Sequence, residues 1–497
     1  MIPRSRALAI IFFPSVAVTI HPDSSPNDIH PRQTRETLSP VFPSPTYSTP
    51  HDPSCEYLIR EEKGRSERGK KLQGLPKEFV LPEYDSYCLS NVTPTVLSLF
   101  DVKSERPRIP RDAFGDVEVG SPERVILIVL DGFGYREWEN QSAEGFVKAM
   151  TTKGHTRAIT TVFPSTTAAA LTSLSTGLTP QEHGLPEWFV YFRELDMIIA
   201  TLPFSPMGDP GRDTLRRTTD PRILFKGETV YRKLAREGIP SHSFVNRNIA
   251  ETAYSTTSLK GSETNSYSSS SDLMAMVRRK VEASATSRAF FYVYWSYVDT
   301  IEHRYGPNTD ESSLEAALIS YSIQKGLVEK LDSKVAQKTL VIVTADHGQI
   351  NVSPKATLYL NRYRKLVKNF ERSESGKKIL PAGSPRDVFL HLGTNADDMR
   401  EYLEKKLEGM ATVLSTEESI RMGLFGINNP QRNFRDRVGD LLILPHRKDT
   451  IWFDHTKETG RPRRVPDGKF DLLGHHGGLS EDEMRVPLGV ARLADLR

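Results

Sequence analysis

Three stretches of the chain are apolar almost without interruption, and an aspartate follows each one. Val125 to Leu130 runs into Asp131-Gly132, Phe290 to Val298 into Asp299, and Leu340 to Ala345 into Asp346-His347-Gly348. Continuous rather than alternating apolar positions predict strands buried on both faces, as in a parallel sheet covered by helices. Between the second and third runs, Ser312 to Leu331 has the spacing of an amphipathic helix. Thr167 to Leu174 is small or apolar, and Gly177 can stop a helix there. The pattern predicts an α/β fold. The segment from about Lys355 to Lys469 carries its own elements: a strand at Val388 to Leu392, a helix at Asp397 to Leu407 and a strand at Leu441 to Leu444. It is read as an α+β cap subdomain, 356–469, inserted into a catalytic core of 76–355 and 470–497. The hydroxyl-rich stretch Ser255 to Ser271 reads as a surface loop.

Before about residue 75 the periodicity lapses. Ten of the 33 prolines precede Cys55, and Arg60 to Lys71 is densely charged. Such composition buries too little apolar surface to offset chain entropy, so residues 1–75 are expected to be a disordered leader. Arg4 and Arg6 before the apolar run Ala7 to Phe13 offer a second reading, a secretory signal over residues 1–17. A cytoplasmic location is expected on the first reading and a secreted one on the second. The run is too short to span a bilayer, and no segment reaches about 18 consecutive apolar residues.

Charge and cysteines narrow the chemistry. Lysine plus arginine (66) nearly balances aspartate plus glutamate (63), for a formal +3. This leaves no electrostatic footprint for nucleic acid and no polybasic patch for anionic lipid. Neither nucleic acid nor a membrane surface is expected as a partner on this ground, which leaves small molecules among the candidates; the oligomeric state is left open. Cys55 and Cys88 form no CxxC pair, which argues against cysteine-ligated zinc and allows one disulfide at most.

Ligands in open α/β sheets bind outside the carboxyl ends of the strands, where these three aspartates fall. Asp299 and His303 are four residues apart, on one face of a helical turn. Asp346-His347 makes a second carboxylate–imidazole pair, and Gly474-His475-His476-Gly477-Gly478 adds two histidines with little bulk around them. A single histidine is more often an ordinary hydrogen-bonded residue. The set matches two metal sites in ligand type and number. Thr160 to Ala170 places Ser165, Thr166 and Thr167 at the start of a helix, where negative charge is favoured. A metal-activated hydroxyl there is a competent nucleophile, although N-capping is the commoner use of such residues.

In order, Asp131-Gly132, Phe163 to Thr167, Thr176-Gly177-Leu178-Thr179-Pro180-Gln181-Glu182-His183-Gly184, Asp299 to Pro307, Asp346 to Gly348 and His476-Gly477 resemble the type I phosphodiesterase/nucleotide pyrophosphatase family of the alkaline phosphatase superfamily. The resemblance implies an alkaline-phosphatase-like, mainly parallel sheet sandwiched by helices, with two divalent metal ions, zinc by ligand type. It assigns Asp131, Asp346, His347 and the Thr167 oxygen to one ion, and Asp299, His303 and His476 to the other. His475 is the rival of His476, and Thr166 of Thr167; the motif favours His476 as ligand and Thr167 as nucleophile. The implied activity is hydrolysis of phosphodiesters or nucleotide pyrophosphates through a phospho-threonine intermediate. The alternatives are a phosphomonoesterase, a phosphonate or sulfate ester hydrolase or a phosphomutase of the same superfamily, or an inactive metal-binding relative acting as an interaction protein. One position departs from the pattern: Trp188 stands where nucleotide-cleaving members usually carry a phosphate-binding asparagine.

Overall fold

The computed structural model describes residues 75–393, 395–456 and 471–497. The expected leader or signal segment up to residue 74, Cys55, residues 394 and 457–469 of the expected cap and residue 470 of the expected core lie outside the described residues. The unit from Leu75 to Arg497 is built around two seven-stranded sheets. The first runs in the order His155–Thr160, Arg485–Arg492, Thr339–Thr344, Arg124–Leu130, Ala289–Trp295, Ser241–Asn246, Glu263–Tyr267. Every pairing in it is parallel except those of Arg485–Arg492, which is antiparallel to both neighbours. Arg124–Leu130, Ala289–Trp295 and Thr339–Thr344 are buried at every position, as their unbroken apolar runs predict. Helices flank this sheet, confirming a mainly parallel α/β architecture, and no helix among the described residues is long and apolar enough to cross a membrane.

The second sheet is antiparallel and runs Ala411–Ser415, Leu441–Pro445, Asp387–Leu390, Ala382–Ser384, Phe189–Phe192, Met197–Ala200, Ser205–Pro206. The segment read as a cap thus supplies four strands, and 189–206 supplies three. The cap helix spans Ala396–Lys406.

Two expectations are corrected. Ser255 to Ser271 is not a loop: it holds most of the helix Ala253–Ser258, the edge strand Glu263–Tyr267 and the start of the helix Ser270–Ala283. Within it Ser269 is an N-cap, accepting from Asp272 N, and Thr252 just before it caps the preceding helix by accepting from Ser255 N. The apolar run before Asp299 is not one strand. The strand ends at Trp295, and Tyr297, Val298 and Asp299 open the helix Tyr297–Tyr305. An apolar run cannot by itself separate a strand end from a buried helix start. The helix expected over Ser312 to Leu331 spans Asp310–Ile323 and continues as a π-turn, Gln324–Val328.

The second sheet is tied to the segment leading into Arg485–Arg492 by a buried ion pair. Arg386 donates through Nε and Nη2 to the two Glu483 oxygens, both at 2.9 Å, and neither side chain is exposed. Arg386→Ala should lower unfolding stability by about 3–5 kcal/mol, because Glu483 would be left buried and unpaired. Arg386→Met with Glu483→Gln should recover part of that loss, because the buried charge is gone while the amide oxygen still accepts from Gly478 N. Denaturant unfolding curves of the two variants check both outcomes.

Candidate metal centre and nucleophile

The sheet's connectivity gathers the site at one edge. Leu130 pairs with Trp295 and Val129 with Thr344, so Asp131, Asp346 and the helix bearing Asp299 leave adjacent strand ends. His155–Thr160 runs parallel to them and delivers the Phe163-to-Thr167 loop to the same edge. Arg485–Arg492 runs the other way, and the segment before it brings His476 there. Ser165 and Gly477 are bridge partners. Ser165 Oγ donates to Gly478 O at 2.8 Å and accepts from Gly477 N at 3.1 Å. Gly132 (φ +76°) is required where the two strand ends meet: a Cβ there would stand 2.8 Å from Asp299 Cα.

The helix Thr167–Thr176 begins at the site and ends at Gly177 in the left-handed region, φ +73°. Thr166 is its N-cap and accepts from Ala169 N. Thr167, the first helical residue, places Oγ1 3.0 Å from His347 Nε2. The same nitrogen lies 3.6 Å from Asp131 Oδ1 and 3.5 Å from Asp346 Oδ2. Both carboxylate oxygens are buried without a hydrogen-bond partner. In the second group, Asp299 Oδ1 is 3.3 Å from His303 Nε2 and 3.7 Å from His476 Nε2. The His476 ring stacks on His347 at 3.7 Å, whereas His475 Nδ1 lies 2.9 Å from the His476 backbone nitrogen. The ligand atoms of Asp299, His347 and His476 also fall within 4.8 Å of one another, so His347 borders both groups.

These spacings suit a shared cation. Ligand atoms about 2.0–2.1 Å from a tetrahedral zinc stand roughly 3.3 Å apart. The electrostatics agree. Burial and then the charges of Asp346 and Asp299 push the Asp131 carboxyl well above its usual range, and burial raises Asp346. Burial and the neighbouring histidines hold His476 well below the usual imidazole value. Among the described residues, the ion-pair partners of these three aspartates are histidines and not lysine or arginine. A divalent cation would relieve this repulsion.

All seven expected residues, Asp131, Thr167, Asp299, His303, Asp346, His347 and His476, are brought together. His183, from the Thr176-to-Gly184 motif, is instead buried against Ser173 Oγ at 3.1 Å, with its imidazole pushed down to about 3 by burial. Two residues beside the aspartates escaped the sequence reading. The Tyr294 hydroxyl donates to Asp131 Oδ2, and Gln349 Nε2 donates to Asp299 Oδ1 at 2.6 Å. A tyrosine inside an aromatic strand reads as core, so only its neighbour across the sheet reveals it.

The sequence profile described as type I phosphodiesterase / nucleotide pyrophosphatase matches residues 125–479. No curated protein sequence matches the chain. Among solved structures, the chain is similar to murine ectonucleotide pyrophosphatase / phosphodiesterase 5, with TM-score 0.53 at 16% identity, over 74% of this chain and 87% of that one. An inactive threonine-to-alanine variant of that mouse protein, in complex with AMP, gives TM-score 0.52 at 15% identity with the same coverage. Phosphonoacetate hydrolase from Sinorhizobium meliloti 1021, in complex with phosphonoformate, gives 0.51 at 17% identity over 76% of this chain and 94% of that one. At these identities the likeness establishes the fold.

Proposed function

The chain belongs to the type I phosphodiesterase/nucleotide pyrophosphatase family, and from that premise we propose that it hydrolyses phosphate esters, diesters foremost, with Thr167 as nucleophile. The observation that carries this reading is the Thr167 hydroxyl set 3.0 Å from His347 Nε2, beside two buried carboxylate oxygens without partners. Asp131, Asp346 and His347, with the Thr167 oxygen, would hold one divalent ion; Asp299, His303 and His476 would hold the other. When bound, the ions supply positive charge that lowers the pKa of the hydroxyl and neutralises the phosphate and the leaving oxygen. Thr167 Oγ1 attacks phosphorus in line, its proton passes to solvent, the P–O bond to the leaving group breaks, and the departing alkoxide takes up a proton from water to leave as the alcohol. Water then cleaves the phospho-threonine and frees the hydroxyl. That a threonine-to-alanine variant of the mouse relative is inactive fits a threonine in this role. The described part of the expected cap, 356–456, would shape the pocket of the leaving alcohol.

Phosphonate hydrolysis is a second reading, drawn from the likeness to phosphonoacetate hydrolase; Trp188 at the asparagine position removes a phosphate-oxygen donor from the nucleotide reading. A panel of bis-p-nitrophenyl phosphate, p-nitrophenyl phosphate, a nucleoside 5′-p-nitrophenyl phosphate, phosphonoacetate and a sulfate ester decides between them. Diester turnover well above monoester and phosphonate turnover is expected; the reverse order overturns the diester reading. In the same panel, Trp188→Asn should raise kcat/KM for the nucleoside ester about 10-fold, the worth of one hydrogen bond to a charged oxygen. Unchanged kcat/KM would show that this position does not reach the phosphate.

A further inference from the structure

The two oxygens of Asp131 are unequally placed. Oδ2 accepts from the Tyr294 hydroxyl, while Oδ1 has no hydrogen-bond partner and faces His347 Nε2 at 3.6 Å. Tyr294 reaches Asp131 because its strand pairs in parallel register with Arg124–Leu130. This sets Tyr294 opposite Val129, two residues before the aspartate. The tyrosine is itself anchored, since its carbonyl accepts from the Tyr267 hydroxyl at 2.7 Å. The other two aspartates are held by different means. Asp346 Oδ1 accepts backbone N–H groups from Gly132 at 3.1 Å and His347 at 3.0 Å, and Asp299 Oδ1 accepts from Gln349.

We propose that Tyr294 is a positioning residue for the metal centre: its hydroxyl pins Asp131 Oδ2, so that Oδ1 stays turned toward the ion shared with Asp346, His347 and Thr167. A carboxylate free to rotate about its Cβ–Cγ bond would lose this orientation, and hydrogen bonds from outside the ligand set commonly govern affinity in this way. Tyr294→Phe removes the donor alone. 4-Fluorophenylalanine at position 294 fills the space of the hydroxyl without donating, which keeps the test open should the phenylalanine variant fold poorly. Tyr292→Phe, two residues earlier on the same face of the strand, is the control for losing a buried hydroxyl.

Zinc dissociation constants of the full chain, measured by competition with a chromophoric chelator, give the readout. Both position-294 variants should hold one of two ions about 10–100-fold more weakly, and the other ion and the Tyr292→Phe control should be unchanged. Excess zinc should restore kcat to the Tyr294 variants with KM unaltered, an outcome that simple loss of packing would not produce. Wild-type affinity in Tyr294→Phe, or recovery of affinity with 4-fluorophenylalanine, overturns the inference. The inference rests on Asp131 being a metal ligand. A wild-type chain that binds no ion would defeat that reading itself, whereas unchanged variants beside a metal-binding wild type defeat only the role of Tyr294.

Discussion

Replacing Thr167 with alanine should lower turnover by about 10³-fold or more, with little change in the thermal midpoint. The substitution removes the attacking oxygen and one oxygen donor from the group around His347 Nε2. It leaves the helix start intact, because the cap is Thr166 and not Thr167. Thr167→Ser should retain part of the activity, since it keeps the oxygen. Thr166→Ala should cost about 1 kcal/mol of stability through the lost cap and little turnover. Ser165 is a poor nucleophile for a different reason: its hydroxyl is already engaged with Gly478 O and Gly477 N. Rapid acid quench followed by peptide mass spectrometry should find the phosphate on Thr167. Phosphate on Ser165 or Thr166 would move the chemistry to another hydroxyl. Full turnover by a Thr166→Ala, Thr167→Ala double variant would remove the covalent route altogether.

The second large effect is metal removal. Dialysis against a strong chelator should abolish turnover, and zinc should restore it, with elemental analysis of the restored protein giving two ions per chain. Full activity in chelator with no bound metal would sink this reading. The reason lies in the buried anions. Without a cation, burial and the charges of Asp346 and Asp299 hold the Asp131 carboxyl well above its usual range, so protons compete with the metal there. Binding must displace those protons. Metal affinity should therefore fall as pH falls, and calorimetry in buffers of different ionisation enthalpy should register proton release. Metal-free protein should also melt lower than the loaded form, since ligands bound only by the folded state stabilise it.

The strands Arg124–Leu130 and Thr339–Thr344 are legible in the sequence because a strand buried on both faces leaves an unbroken apolar run, and that run alone places their aspartates at the carboxyl edge. The run before Asp299 was legible only in part. Tyr297 and Val298 are apolar because they open a buried helix, not because the strand continues. The hydroxyl-rich Ser255-to-Ser271 stretch misled for a related reason. Serine and threonine cap helices and line edge strands as readily as they form loops, and composition does not distinguish these uses.

The choice between neighbouring residues needed three dimensions. Thr166 and Thr167 differ by one position, and it took the backbone at the helix start to turn one hydroxyl inward to Ala169 N and the other toward His347. His476 rather than His475 stacks on His347, because the bridge between Ser165 and Gly477 orients that loop. The type and order of the chemical groups are local properties, written in motifs that each lie within a few residues. By itself the sequence determined an α/β fold, the family and the cast of carboxylates, imidazoles and hydroxyls. Which oxygens are left without partners, which are held by Tyr294 or Gln349, and how 189–206 joins 382–445 in one sheet were decided by the tertiary structure, because they depend on strand register between segments far apart in the chain.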